Sequence, residues 1–128
     1  MKIRGTDFVM FHVSDLATAV KFYRDALGLP LEVFSEEYHW AEFNCGDLTL
    51  ALRAGETIVE SGTGARLALA VEDIDVAYAE LTARHAWILQ PPQDHGVCRA
   101  FEVQDPDGNV ILLHRRADST FGRHSPPP

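Results

Sequence analysis

From Phe8 to Leu29 the chain reads as a strand running into a helix, and the pattern returns once, from Arg66 onward. Phe8 to Val13 is apolar and rich in β-forming residues, which suits a short strand. Ser14 or Asp15 then supplies a side-chain oxygen for an orphan backbone N–H, which opens a helix. Leu16, Ala19, Val20, Tyr23, Ala26 and Leu27 recur at helical spacing and make one apolar face,. Gly28 accepts the left-handed conformation that ends a helix, and Pro30 prevents its continuation. Moved along by 58 positions, Val13-Ser14-Asp15-Leu16 falls on Val71-Glu72-Asp73-Ile74. At an offset of 62, Gly46-Asp47-Leu48-Thr49-Leu50 falls on Gly108-Asn109-Val110-Ile111-Leu112. Two matches in the same order make an internal repeat.

The rest of the chain fills in two modules of the same plan. After the helix Asp15–Leu27, a strand is expected over Leu31–Phe34, then a hairpin of Tyr38–Asn44 and Leu48–Arg53. Ala54–Gly64 reads as a linker. The second module takes strand Leu67–Val71, helix Ile74 to about Arg84, a weak strand Trp87–Gln90, a loop Pro91–Gly96, and strands Cys98–Val103 and Val110–Arg115. Asp105-Pro106-Asp107-Gly108 is a strong turn signal: proline presets the first angle, and glycine accepts a positive φ. Each module is therefore βαβββ, an α+β fold. A four-stranded sheet with one helix leaves its other face apolar, so two paired modules form a curled mixed sheet around a pocket. One domain is expected over residues 1–117, with modules at about 6–54 and 65–116, and a disordered tail over 118–128.

Composition narrows the class of partner. The formal charge of −8 disfavours nucleic acid and anionic membrane,. No apolar run is long enough to span a bilayer, and the short polar start shows no signal peptide. Cys45 and Cys98 are two thiols far apart, which fits a reducing cytoplasm. CxxC, GxGxxG, HExxH, P-loop and GxSxG motifs are absent from the sequence,.

The order of strand, Val13-Ser14-Asp15-Leu16, Phe22-Tyr23-Arg24-Asp25-Ala26-Leu27-Gly28 and Asp105-Pro106-Asp107-Gly108-Asn109 resembles the vicinal oxygen chelate superfamily. That family takes in glyoxalase I, extradiol dioxygenases, fosfomycin-resistance enzymes and bleomycin-resistance proteins. The resemblance covers about Thr6 to Arg116. It implies the glyoxalase/bleomycin-resistance/dioxygenase fold, often completed as a homodimer, and a divalent metal that chelates two adjacent substrate oxygens. By the family's pattern the first ligand lies five residues before the valine of V-x-D-L, which is Phe8 here, with Arg66 as its repeat partner. The other two lie four residues past the turn glycines, at Leu50 and Leu112. Phe and Leu offer no lone pair and Arg is a cation without an acceptor, whereas divalent sites need carboxylate, imidazole or thiolate. The expectation is thus no metal and no cofactor.

Alternation along the strands nominates what lines a ligand site. Phe8, Met10 and His12 share one face of the first strand, and Leu112 and His114 one face of the last. His12 and His114 are candidates to hydrogen-bond a ligand or to move a proton; otherwise they are half-buried histidines bonded to backbone or water. Arg66 either holds an anionic group or is a solvated edge residue. Glu42 and Glu102 either pair with Arg66, serve as bases, or are ordinary exposed strand residues. Trp40, beside Tyr38 and His39 and after Glu36-Glu37, either clamps a planar cation or packs in the core or a dimer interface; Trp87 is expected in the core. The residues expected to touch a ligand are Phe8, Met10, His12, Trp40, Leu50, Arg66, Leu112 and His114. The function these imply is metal-independent binding of a small, partly apolar molecule, in the manner of bleomycin-resistance proteins. The alternative is a lyase, isomerase or dioxygenase working through histidine acid–base chemistry or a displaced metal site.

Overall fold

The computed structural model describes residues 1–2, 7–55 and 65–121. The chain divides into two compact units, Met1–Thr63 with Pro106–Asn109, and Gly64–Asp105 with Val110–Pro128.

In the first unit β1 (Val9–His12) leads into α1 (Leu16–Lys21), followed by β2 (Leu31–Ser35), β3 (Trp40–Asn44) and β4 (Thr49–Arg53). Asp15 caps α1 and accepts from Thr18 N at 2.9 Å. The expected single helix to Leu27 changes pitch on the way. Phe22–Ala26 is π-helical, with Leu27 N–H donating five residues back to Phe22 O at 3.1 Å,. This segment carries Tyr23, fully buried, onto Phe43, with ring centroids 5.7 Å apart. Gly28 ends the helix with φ +74. The sheet order is β1-β4-β3-β2, with β1 and β4 parallel and the other pairs antiparallel. Phe11, Leu50, Leu52, Ala41 and Phe43 are buried beneath the helix.

The second unit repeats the plan with β5 (Leu67–Ala70), α2 (Ile74–Ala83), β6 (Trp87–Asp94), β7 (Cys98–Gln104) and β8 (Val110–Arg116). Asp73 caps α2 through Val76 N at 3.0 Å. The sheet order is β5-β8-β7-β6, with β5 and β8 parallel. Leu67, Phe101, Val103, Ile111 and Leu113 are buried, and Tyr78 of α2 meets Phe101 at 5.3 Å between centroids. Two four-stranded mixed sheets, each with one helix face, make this an α+β fold of two βαβββ units.

Two further expectations change. The loop expected over Pro91–Gly96 is largely strand: β6 runs through Pro91 and Pro92 to Asp94. The prolines fall where the register jumps from Gln90↔Glu102 to Gln93↔Ala100, a bulge on an edge strand, where a missing donor costs no ladder bond. Trp87, expected in the core, is 68% exposed on that edge. The stretch expected as tail is described as far as Phe121: its first residues form a turn, with Ser119 at φ +66, held by Arg115 Nη2 to Ser119 Oγ at 2.9 Å and Arg116 Nη1 to Thr120 Oγ1 at 3.2 Å. Residues 122–128 and most of the expected linker, 56–64, lie outside the described residues. No helix among the described residues is long and apolar enough to cross a membrane.

Candidate functional site

Each sheet has one face under its helix and one face free of it. Register identifies the residues of the helix-free face, because paired residues on neighbouring strands point the same way. In the first sheet one such row is Met10–Ala51–Glu42, and the next is His12–Arg53–Trp40. Phe8 joins them by its ring, which meets Trp40 edge to face at 5.6 Å and 87°. Trp40 Nε1–H donates to Glu42 Oε2 at 2.8 Å. The two side chains are neighbours because alternate residues of β3 share a face.

Leu50 is not on this face. It pairs with Val9 and Phe43 and is fully buried on the helix side. The residue that takes its expected place is Ala51. The reason lies in the turns. Asn44 pairs with Thr49, so four residues form the first turn; Gln104 pairs with Val110, so five form the second. Aligning the turn glycines therefore shifts the following strand by one residue, which moves a side chain to the opposite face. Leu112, by contrast, sits where expected, in the row Ala68–Leu112–Glu102.

The helix-free face of the second sheet carries Arg66, Ala68, Leu112, Glu102 and His114. Arg66 does turn onto it, donating to Glu102 Oε1 at 3.0 Å. With over half of the Arg66 side chain exposed, water screens this pair and it adds little stability. His114, partly buried, pairs with Ala70 and Ala100 and borders a half-open cavity of about 480 Å³ within this unit. Val71, Ser119, Thr120 and Phe121 also border that cavity. Its volume falls within the usual range for small-molecule sites. The turn residues among these were not legible as site residues, since a polar stretch before Ser-Pro-Pro-Pro carries no pocket signal.

His12 is partly buried in the first unit, and its backbone carbonyl accepts from Asn109 Nδ2 at 3.1 Å. A second tie holds the next residue of that corner, Ser14 N–H to Asp107 Oδ1 at 2.9 Å. The backbone at His12 is thus tied at a hydrogen-bonded corner.

The metal implied by the family resemblance does not fit these residues. In the first unit the donor positions hold Phe8 and, by register, Ala51; in the second they hold Arg66 and Leu112. None is a ligand for a divalent ion. Among the described residues no three His, Cys, Asp or Glu side chains group so as to hold a metal.

Comparison with known proteins agrees with the fold. Residues 5–113 match the family model described as the Glyoxalase/Bleomycin resistance protein/Dioxygenase superfamily. The chain is 39% identical over 118 residues to Metallothiol transferase FosB of Staphylococcus haemolyticus, covering 88% of this chain and 84% of that protein. Among solved structures it is similar to TnmS3, an antibiotic binding protein from Streptomyces sp. CB03234, with a TM-score of 0.80, 27% identity and coverage of 91% and 99%. It is also similar to a member of the same superfamily from Sphaerobacter thermophilus, with a TM-score of 0.76, 26% identity and coverage of 88% and 97%.

Proposed function

The chain belongs to the glyoxalase/bleomycin resistance protein/dioxygenase superfamily, and from that premise we propose that it binds a small, partly apolar molecule without a metal and sequesters it. The observation that carries this reading is the set of residues at the family's donor positions, Phe8, Ala51, Arg66 and Leu112. They replace a chelating site with an aromatic ring, two aliphatic side chains and a guanidinium already paired to Glu102. Apolar lining with a few polar groups is the usual make-up of a small-molecule site, and His12, Trp40 and His114 supply such groups. Similarity to an antibiotic binding protein supports sequestration as the role. The protein acts as a homodimer, since two small units bury limited surface and leave sheet edges open to a partner.

Similarity to Metallothiol transferase FosB favours a second reading, metal-assisted group transfer. The donor positions count against it. Elemental analysis after incubation with zinc, nickel, manganese and iron separates the two: the proposal expects well under one ion per chain, and a tight one-to-one complex refutes it. Native mass spectrometry of the same sample reports any co-purified small molecule and the mass of the dimer. A species at the mass of one chain at micromolar concentration refutes the dimer.

A further inference from the structure

The two sheets repeat one row of the ladder and complete it differently. In the second, Glu102 pairs with Leu112 and, across it, lies level with Ala68. Arg66, two residues before Ala68 on that face, puts its guanidinium on the Glu102 carboxylate at 3.0 Å. In the first, Glu42 pairs with Ala51 and lies level with Met10. Two residues before Met10 is Phe8. Glu42 therefore stands where Glu102 stands, and Phe8 where Arg66 stands.

Glu102 has a cation from its own unit. Glu42 takes part in none of the ion pairs among the described residues. Its hydrogen bond comes from Trp40 Nε1 at 2.8 Å, which occupies one of about four acceptor positions that a carboxylate offers. Glu42 is partly buried, so water does not surround the remaining positions freely. Beside it stands an aromatic wall: Phe8, 48% exposed, set edge to face on Trp40.

We infer that Glu42, Trp40 and Phe8 form a cation subsite on the helix-free face of the first sheet. It takes a positively charged nitrogen on a flat or apolar body, such as an amine, an amidinium or an N-alkylated heteroaromatic ring. The Arg66 guanidinium of the second unit marks the chemistry of the missing partner. A cation beside aromatic faces is attracted by their quadrupoles, and a carboxylate makes the contact charge-assisted. The net charge of −8 raises the local concentration of such ligands,. This subsite rests on the small-molecule reading above and names the class of ligand. The competing explanation is that Glu42 only anchors the Trp40 indole.

The test compares two probes of similar shape by calorimetry at pH 8, where one is charged and the other neutral: 1-methylquinolinium and 2-methylquinoline. The wild type is expected to bind the cation roughly tenfold more tightly. Glu42→Gln retains an oxygen for the indole N–H but removes the charge, so the preference should fall to near unity with the neutral probe unchanged. Phe8→Arg copies the second unit, and its guanidinium should occupy Glu42 and abolish the preference in the same way. Thermal melts confirm that both variants are folded. A preference that survives in both variants overturns the inference. Equal binding of the two probes by the wild type also overturns it and leaves the small-molecule reading standing. Binding of neither up to about 10 mM overturns both.

Discussion

Leu50 and Leu112 occupy matching places in the repeated sequence, yet the structure assigns them opposite fates, and this difference is measurable as stability. Leu50 is fully buried, level with Val9 and Phe43 on the helix side of the sheet. Leu50→Ala removes buried carbon worth about 2 kcal/mol in transfer and leaves a cavity that adds about 1 kcal/mol. The total is about 3 kcal/mol. Leu112 lies on the helix-free face, partly exposed, beside Ala68 and Glu102. Leu112→Ala loses only part of the transfer term and opens no closed cavity, so it costs about 1 kcal/mol. Urea unfolding followed by circular dichroism reads both. With a slope of about 2 kcal/mol per molar, the midpoint should fall by about 1.5 M for Leu50→Ala and about 0.5 M for Leu112→Ala. An unchanged slope shows that the effect lies in stability and not in the extent of unfolding. Equal shifts, or a larger one for Leu112→Ala, refute the one-residue difference in register between the two turns.

Asn109 is 4% exposed and donates to the His12 carbonyl, so Asn109→Ala should cost about 1–2 kcal/mol by leaving that oxygen without its donor; the same urea assay checks it. Burial first, and the Asp47 charge second, push the Cys45 thiol above its ordinary value, opposed by a hydrogen bond from the Leu50 backbone. Iodoacetamide should therefore label Cys45 more slowly than free glutathione at pH 8, and Asp47→Asn should speed it, as peptide mass mapping would show. The Thr18 hydroxyl, and after it the Thr18 N–H, hold the Asp15 carboxyl below the usual carboxylate range. A depressed folded value means that the stabilisation is fully present above the unfolded value of about 4 and is lost as pH falls through the lower folded value. Asp15→Asn should flatten that acid limb of a stability–pH curve, and an unchanged limb would show that the cap carries no such linkage.

Much of the fold was legible because its punctuation is local. Asp15 and Asp73 cap helices as their positions imply, Gly28 adopts positive φ at the expected helix end, and Gly46 and Gly108 do so in the expected turns. Alternation placed Phe8, Met10, His12, Leu112 and His114 on a face shared by each strand, and register agrees for Met10, His12, Leu112 and His114. What failed was non-local. Leu50 was placed by aligning glycines, and a turn one residue longer moved the strand without changing its apolar composition. Trp87 and the two prolines of β6 depart from expectation because β6 is an edge strand with one unpaired side,, which hydrophobicity alone does not reveal. The Trp40–Glu42 hydrogen bond was half visible: alternate spacing put the two side chains together, but the ring of Phe8 comes from another strand.

The two most specific sequence features prove to be one structural feature seen twice. Val13-Ser14-Asp15-Leu16 marks the corner where β1 becomes α1, and Asp105-Pro106-Asp107-Gly108-Asn109 marks the turn before β8. Turn chemistry explains proline and glycine in the second motif, but it gives no reason for Asp107 or Asn109 in particular. Hydrogen bonding does. The Ser14 N–H and the His12 carbonyl both lie at this corner, and backbone groups in such a place need acceptors and donors. Asp107 accepts from Ser14 at 2.9 Å and Asn109 donates to His12 at 3.1 Å. An acceptor is needed at one position and a donor at the other, and Asp and Asn meet those needs in that order. Residues Pro106–Asn109 accordingly group with the first unit although the strands they join belong to the second. The motif near the end of the chain is therefore part of what holds His12 in place, and a change at Asn109 should reach the candidate site through the backbone of β1.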